Sequence, residues 1–471
     1  MRVHLRRAAA ATLLILGAGS AIRCGGAPPP PPPVEPQNLV LVTVSSLRGD
    51  RLGIYGYPRN ISPRLDLFAA EGALLLEART PAPETGPAAT AVLTSLDPAR
   101  AAHGSPARLL PFSTMATELA TAGYRTVAAV SHPAVAAELG FARGFEGFEE
   151  FWDRDPREAD RAVAAHGVAV VSAAAPGELF FLWLHLSAPE PPHDDFAEVG
   201  AALAGDGLTP DRPRFRTGPE PAAAEAGGPD YGEAMDRYDA AVGFIDAAFG
   251  QILDALAGNP AAGPTVVMVV GLHGESLGEH APRFHRPRGL FRETLHVPFL
   301  LGRVREAPGE DSPPPFSPGA RFTGPVSIAD VLPTAFGLIG ATAPEPPDPG
   351  SRFGASLLPA LAGEELRPHR RLYARSAAGL FSIFDGRLKM LRVPVPGQDA
   401  PQFALYNQVR DPNEAENRYP QGRSSTEPLR AELETRRLRT VSWAQENARN
   451  TGDPGPPGER LSEALASRGY R

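Results

Sequence analysis

The residues best placed for chemistry follow a short apolar stretch near the start of the chain. Residues 39–44 read LVLVTV, a β-branched run without a turn residue, which predicts a strand buried on both faces of a parallel sheet. Two hydroxyl residues, Ser45 and Ser46, come next, and Arg48 and Asp50 follow them. In open α/β sheets, ligands bind beyond the carboxyl ends of the strands. These four side chains are therefore the first candidates for a catalytic or binding site.

Other buried strands also end in polar residues. Residues 179–184 (LFFLWL) lead into His185, and residues 265–270 (TVVMVV) lead into a segment that contains His273. For His185, a hydrogen-bonded core histidine and an anion contact both remain open. The strand at residues 123–130 ends near His132, which we interpret as a structural side chain.

Helical patterns alternate with these strands. Residues 231–256 carry apolar side chains at helical spacing and predict a long amphipathic helix. Short strands are predicted between residues 372 and 406, and residues 424–450 are charged and helical in pattern. The sequence thus predicts an α/β fold in which helices sandwich a large, mostly parallel sheet, with a small antiparallel sheet near the C-terminus.

Composition limits the classes of partner. The chain has 471 residues and a net charge of −8, and no basic run follows its first few positions. This argues against a nucleic acid or an anionic membrane surface as the partner. The single cysteine, Cys24, excludes a disulfide framework within the chain and a thiolate metal cluster.

The N-terminus has the pattern of an export signal. Residues 1–24 combine a basic start, an apolar middle and small residues near the end, as in a signal peptide. Cys24 just after the apolar stretch resembles the lipidated cysteine of bacterial lipoproteins, although Arg23 stands where a small residue is expected. Simple secretion or a retained anchor are the alternatives. The proline-rich linker at residues 25–37 is either a stiff spacer or low-complexity filler.

Several blocks in the right order resemble the sulfatases of the alkaline phosphatase superfamily. They are VTVSSLRGDRLGIYGYPRNISPRLD at 42–66, HGESLGEH at 273–280, the segment 326–339, which matches a helix of the family, the segment 354–361 and the turn at 411–417. The resemblance covers residues 38–418. It implies a sulfatase-like α/β domain at 38–362, a small C-terminal sheet subdomain at 367–418 and a charged helical tail at 419–471.

The resemblance assigns roles to particular positions, and several of them carry the wrong residue. The family's metal-ligand positions fall on Ser45, Ser46, Leu272 and His273, so carboxylates are missing where Ser45 and Leu272 stand. The nucleophile position falls on Thr85, although a threonine there is also an ordinary helix cap. The basic residue that follows in the family is replaced by Ala89.

The substrate-contacting positions also differ from the family pattern. The resemblance assigns anion contacts to His185 and Arg286 and substrate binding to Arg48 and Glu190. Glu190 replaces a family histidine, and a carboxylate facing an anionic ester is repulsive unless a cation intervenes. Arg286 either holds an anion or lies on a solvated face.

These losses favour a non-catalytic, exported, sulfatase-like protein that acts as a binding or interaction module without a cofactor. The alternative is a hydrolase of sulfate or phosphate esters with Thr85 as nucleophile and one divalent ion (Ca²⁺, Mn²⁺, Mg²⁺ or Zn²⁺) held by relocated ligands. At least three of five candidates would then converge near Thr85: Asp50, Glu190, His193, His273 and Glu275. A third possibility is a binding face elsewhere, on the long loops.

The expected partner is an anionic small molecule or glycan, with no nucleic acid. The expected location is the periplasm or the outer surface, with membrane anchoring through Cys24 if that residue is lipidated.

Overall fold

The computed structural model describes residues 36–191, 231–280, 289–304, 316–347, 351–364, 370–419, 424–451 and 455–470, all within one compact unit. The predicted signal peptide, Cys24, the proline-rich linker up to residue 35, His193, the loop at 197–230 and Arg286 lie outside these residues.

Ten strands precede the small C-terminal sheet in the described part of the chain. They are β1 Asn38–Val44, β2 Ala73–Arg79, β3 Ala102–His103, β4 Arg108–Leu109, β5 Arg125–Val130, β6 Gly147–Glu150, β7 Phe180–Leu186, β8 Thr265–Gly271, β9 Phe299–Val304 and β10 Ala320–Ser327. Eight of them form the large sheet in the order β10-β2-β9-β8-β1-β7-β5-β6, and β3 and β4 form a separate short hairpin. Only β9 runs against its neighbours in the large sheet. The predicted large, mostly parallel sheet is confirmed.

The described helices flank this sheet and extend to the C-terminus. They are α1 Pro63–Glu71, α2 Thr85–Thr94, α3 Pro98–Ala101, α4 Met115–Thr121, α5 Pro156–Ser172, α6 Tyr231–Gly258, α7 Arg292–Leu295, α8 Val331–Leu338, α9 Leu358–Leu361, α10 Glu427–Thr451 and α11 Glu459–Ser467.

Strand β1 is apolar at every core position because helices cover both faces of the sheet. Leu39 and Leu41 join one core with α2, α4 and α8, whereas Val40, Val42 and Val44 join the other with α1, α5 and α6. Helix α6 is long and apolar enough to span a membrane, but its central residues are buried in that second core. Its apolar character is therefore explained by packing against the sheet.

The small C-terminal sheet is antiparallel. Its strands are β11 Leu372–Arg375, β12 Phe381–Phe384, β13 Leu388–Val393 and β14 Gln402–Asn407, paired in that order. Helix α10 packs Leu429 and Leu433 on this sheet. The predicted small antiparallel sheet is confirmed.

Two parts of the structure differ from the sequence-based expectation. The segment 326–339, expected as one helix, is the end of β10, a short 3₁₀ turn and α8. The chain turns there because Ser327 and Asp330 form a capping box, each bonding the other's backbone. The tail also contains a second helix, α11, whose Leu461 and Leu465 join the core of the large sheet.

Candidate functional site

The sheet brings the polar ends of three adjacent strands together. Ser45 follows β1, His185 lies in the neighbouring β7, and His273 follows β8 on the other side of β1. Thr85 joins them from the first turn of α2. All four side chains are completely buried. These positions, separated by up to 228 residues in sequence, thus form one cluster.

A chain of hydrogen bonds connects these side chains. Thr43 Oγ1 lies 2.9 Å from His185 Nδ1, and His185 Nε2 lies 3.3 Å from Ser45 Oγ. Ser45 Oγ lies 2.8 Å from Thr85 Oγ1, which in turn lies 3.0 Å from His273 Nε2. The Thr85 hydroxyl therefore sits between a serine and a histidine.

The contacts at the two ends of this hydrogen-bond chain determine which atoms donate and which accept. Trp183 Nε1 donates to Thr43 Oγ1 over 2.9 Å. At the other end, His273 Nδ1 lies 2.9 Å from the carbonyl oxygen of Gly274, which can only accept. In the neutral imidazole, His273 Nε2 then carries no proton and accepts one from Thr85.

One assignment of donors and acceptors provides a hydrogen atom for every contact in this hydrogen-bond chain. Because Thr85 donates to His273, Ser45 must donate to Thr85. Ser45 then accepts from His185 Nε2, and His185 Nδ1 accepts from Thr43. Both histidines are neutral in this arrangement, and burial, together with two neighbouring histidines, lowers the pKa of His185 well below its usual value. We call Thr43, His185, Ser45, Thr85 and His273 the neutral hydrogen-bond chain.

Local backbone geometry positions the side chains of the neutral hydrogen-bond chain. Ser46 adopts a left-handed conformation with φ of 56°, which is uncommon for a residue other than glycine. Position 274 requires glycine, because a Cβ there would lie 1.9 Å from the carbonyl oxygen of Glu293. Glu84, not Thr85, occupies the capping position of α2. The helix-cap interpretation of Thr85 is therefore wrong, since its hydroxyl bonds Ser45 and His273 instead.

The residues at the family's metal-ligand positions do not fit a hard divalent ion. Leu272 is fully buried in the apolar core, and Ser45 is bound to Thr85. Ser46 donates to Glu275 over 3.1 Å. In the described part of the chain, no three histidine, cysteine or acidic side chains are grouped as metal ligands. Divalent ions of this kind need several oxygen ligands, usually carboxylates.

The side chain of Arg48 forms ion pairs with two carboxylates of the protein itself. Its Nη2 lies 2.7 Å from Asp50 Oδ2, and its Nη1 lies 2.6 Å from Glu279 Oε1. The hydroxyl of Tyr238 donates to the carbonyl of Ser46 over 2.7 Å and accepts from the Arg48 backbone. Although Asp50 is half-exposed, the Arg48 guanidinium holds the pKa of its carboxyl below the usual range. In this structure Arg48 stabilises the turn after β1.

A second polar pair lies beside the neutral hydrogen-bond chain. His132 Nε2 lies 2.8 Å from Glu190 Oε2, and both side chains are fully buried. The backbone N–H of Ala134 donates to His132 Nδ1, so in the neutral ring the proton is on Nε2, the nitrogen nearer Glu190. The rings of His132 and His185 meet edge to face at 6.1 Å. His132 is thus part of the site, although its sequence context predicted a structural role.

Asp160 supports this second pair from α5. Its carboxylate accepts the backbone N–H groups of Ser187 and Ala188, the latter over 2.7 Å. Burial raises the pKa of Asp160 to about 6, against these hydrogen bonds.

The five candidate relocated ligands do not converge on Thr85. Only His273 contacts it. Asp50 is bound to Arg48, Glu190 to His132, and Glu275 to Ser46. His193 and Arg286 lie outside the described residues, and their roles stay predictions.

Sequence reasoning missed Tyr238, Asp160 and Glu279 as parts of the site. Tyr238 and Asp160 lie inside long helices, where a polar residue gives no sign of which strand end it will meet. His132 had the better signal, because it follows a buried strand just as Ser45 does.

The strand order, the helix-covered sheet and the small antiparallel sheet define a layered α/β fold of the kind found in the alkaline phosphatase superfamily. Residues 37–341, well over half of the chain, match the family model described as Sulfatase. The chain belongs to the sulfatase family. No curated protein matches it significantly.

Solved structures agree with this fold. A 2-O GAG sulfatase, BT1596, has 18% identity and a TM-score of 0.66, covering 91% of this chain and 96% of its own. BT4656, solved with its substrate D-glucosamine-2-N,6-O-disulfate, has 15% identity and a TM-score of 0.67, covering 88% and 99%. The phosphonate monoester hydrolase of Agrobacterium radiobacter has 18% identity and a TM-score of 0.64, covering 87% and 96%.

Proposed function

We propose that this sulfatase-family protein does not perform metal-dependent ester hydrolysis and acts as a binding module. The neutral hydrogen-bond chain carries this proposal. It connects the nucleophile position directly to two of the family's metal-ligand positions, Ser45 and His273, and satisfies all of their hydrogen bonds without a charge. A cation there would meet two hydroxyls and a histidine, and among the described residues no carboxylate is bonded to Thr85.

The anion-contacting position supports the same proposal. Glu190 is a carboxylate already bound by His132, so it repels a sulfate or phosphate group instead of attracting one. Neither this position nor Ala89 supplies the positive charge that an ester anion needs. An enzyme of this type would also need a group that lowers the pKa of the Thr85 hydroxyl.

One observation favours a competing function, metal-independent hydrolysis. Thr85 Oγ1 lies 3.0 Å from the unprotonated Nε2 of His273, whose Nδ1 is anchored on the Gly274 carbonyl. A hydroxyl next to an oriented base is the geometry of an activated nucleophile. Arg48, however, is paired with Asp50 and Glu279, and no cationic side chain in the described part of the chain is bonded to Thr85 to stabilise a developing negative charge.

Hydrolysis assays with and without added divalent ion separate these functions. The substrates are aryl sulfate, phosphate and phosphonate esters, and the proteins are the wild type and Thr85→Val. The binding-module proposal predicts the same background rate for both proteins, with or without Mn²⁺, Ca²⁺, Mg²⁺ or Zn²⁺. A wild-type rate at least about tenfold above Thr85→Val would contradict it. Dependence of that rate on a metal would then distinguish relocated ligands from the Thr85–His273 pair.

For the ligand class we propose an anionic, sulfated glycan. The support is family membership, together with one structural relative solved with a disulfated glucosamine and another, Ps i-CgsB, solved with k-i-k-neocarrahexaose. Calorimetric titration with a sulfated oligosaccharide and its desulfated counterpart tests this. Binding of the sulfated form alone supports the proposal, and equal or absent binding of both contradicts it.

We also propose export, with Cys24 lipidated. The support is the basic start, apolar stretch and cysteine in residues 1–24. Metabolic labelling with an alkyne fatty acid in a bacterial host should label the wild type and not Cys24→Ser. Release of an unlabelled, processed wild-type protein would instead support simple secretion.

A further inference from the structure

The last described residues of the chain lie against the second polar pair of the site. Helix α11 packs on the 3₁₀ turn Pro133–Val135, which directly follows His132. Beyond α11, the ring of Tyr470 meets the ring of His132 at 5.7 Å between centroids. Residues 459–470 thus cover the side of the site where the family contacts its ester anion, and they lie beyond the part that the family model matches.

The apolar contact that holds this segment is small. Leu461 and Leu465 are buried in the core of the large sheet, as the two anchor residues of a nine-residue helix, and Tyr470 packs against the same core. Other contacts lie outside that core: the backbone N–H of Gly458 donates to Glu138 Oε1, and exposed Arg460 pairs with Asp153. Exposed ion pairs of this kind contribute little to stability.

Arg468 opposes docking of the segment. Its side chain is nine-tenths buried, and within the described part of the chain its Nη1 has no hydrogen-bond partner. Burial lowers the pKa of Arg468, and attraction to Asp160 only partly offsets this. A buried guanidinium with an unpaired N–H group such as Nη1 is unfavourable, so its return to water favours release.

We propose that residues 459–470 form a releasable C-terminal plug that closes the site over His132 and Glu190. The plug docks through Leu461 and Leu465, and the guanidinium of Arg468 keeps that docking weak. A ligand of the site enters when the plug leaves. The effect on ligand binding rests on the proposed function, whereas the docking equilibrium does not.

Cysteine labelling measures the docking directly. Protein beginning at Glu35 lacks the only cysteine, so an introduced thiol is unique. The reporter is Val135→Cys, a fully buried position in the turn beneath α11, and the control reporter is Val171→Cys, equally buried in α5 on the opposite face of the sheet. The measurement is the maleimide labelling rate of each thiol under native conditions.

In the Val135→Cys protein, Leu465→Asp should raise the labelling rate at least about tenfold, because it removes a buried anchor. It should leave the rate of Val171→Cys unchanged, which excludes general destabilisation. Leu438→Asp, at an exposed leucine of α10, should change neither rate. An unchanged Val135→Cys rate, or an equal rise at both reporters, would overturn the plug.

Arg468→Gln tests the weak docking. It should slow labelling of Val135→Cys by about threefold or more, because a neutral side chain is less costly to bury. Faster labelling would mean that Arg468 anchors the segment, and would overturn a plug poised for release. If labelling behaves as expected but Leu465→Asp still binds no sulfated oligosaccharide, the proposed function fails while the plug stands.

Discussion

Two buried polar regions of this protein differ in charge. The neutral hydrogen-bond chain joins three strand ends of the large sheet with no ionised group. The contact between the large sheet and the small C-terminal sheet instead contains buried charges: Lys389 Nζ lies 2.8 Å from Glu414 Oε2, and both side chains are buried. Next to this pair, Arg79 Nη2 bonds Glu77 over 2.9 Å and Gln408 over 2.7 Å.

The difference shows where this sequence tolerates buried charge. Around Lys389 and Glu414, each charge has an oppositely charged partner within the chain. At the site, carboxylates at positions 45 and 272 would face one another without such a partner unless an ion were present. The protein thus has buried charges where both partners belong to the chain. It has uncharged residues at positions 45 and 272, where the family's metal ion would neutralise the carboxylates.

The largest effect should come from breaking the charged contact. Lys389→Met leaves Glu414 buried without its cation and should lower the free energy of unfolding by about 3–5 kcal/mol. Urea denaturation measures this. The matched control is Glu416→Gln, which breaks the exposed pair with Arg418 and should cost less than about 0.5 kcal/mol. Similar losses in both variants would contradict the importance of the buried pair.

An intermediate effect should come from interrupting the neutral hydrogen-bond chain. Thr85→Val keeps the shape of the side chain but leaves the Ser45 hydroxyl and His273 Nε2 unpaired, at a cost of about 1–3 kcal/mol in unfolding free energy. Thr90→Val is the control in the same helix, since the Thr90 hydroxyl bonds only the carbonyl of Gly86 in its own helix. A loss no larger than that of the control would mean that the chain is not continuous at Thr85.

The smallest effect should be a pH dependence that comes from His185. Its pKa in the folded protein is depressed, so below about pH 6.5 the unfolded chain binds a proton that the folded protein does not. Stability therefore falls as the pH falls, by about 1 kcal/mol between pH 6.5 and 5.5 for this one group.

The comparison of wild type with His185→Gln isolates this contribution. Asp160 and Asp246, whose pKa values burial raises to about 6, act in the opposite direction over the same range and cancel in the difference. The difference in unfolding free energy between the wild type and His185→Gln should shrink by about 1 kcal/mol from pH 6.5 to pH 5.5. A constant or growing advantage at lower pH would show that His185 is protonated in the folded state.

The sequence predicted the parts of the molecule that local patterns determine. The apolar runs of β1, β7 and β8 identified the strands, and the polar residues after them identified the candidate site. What it did not predict are pairings across long separations. The close contact between His132 and Glu190, and the hydroxyl of Tyr238 at the Ser46 turn, depend on how strands and helices are arranged.

The C-terminus illustrates the same limit. Residues 459–467 have an ordinary amphipathic pattern, and nothing in it indicates that Leu461 and Leu465 reach the core beside the site. The tail was predicted to be helical, but its packing against the core of the large sheet was not predicted. Arg468 lies near Asp160 because of the tertiary fold, which local sequence patterns do not reveal.

The most direct test of a neutral site without an ion is the divalent metal content of the protein, measured by elemental analysis after dialysis. The wild type from Glu35 onward is compared with Ser45→Asp/Leu272→Asp, which returns the two missing carboxylates. The account predicts less than about a tenth of an equivalent in the wild type and a clear gain in the double variant. Near one equivalent in the wild type, lost in His273→Ala, would contradict it.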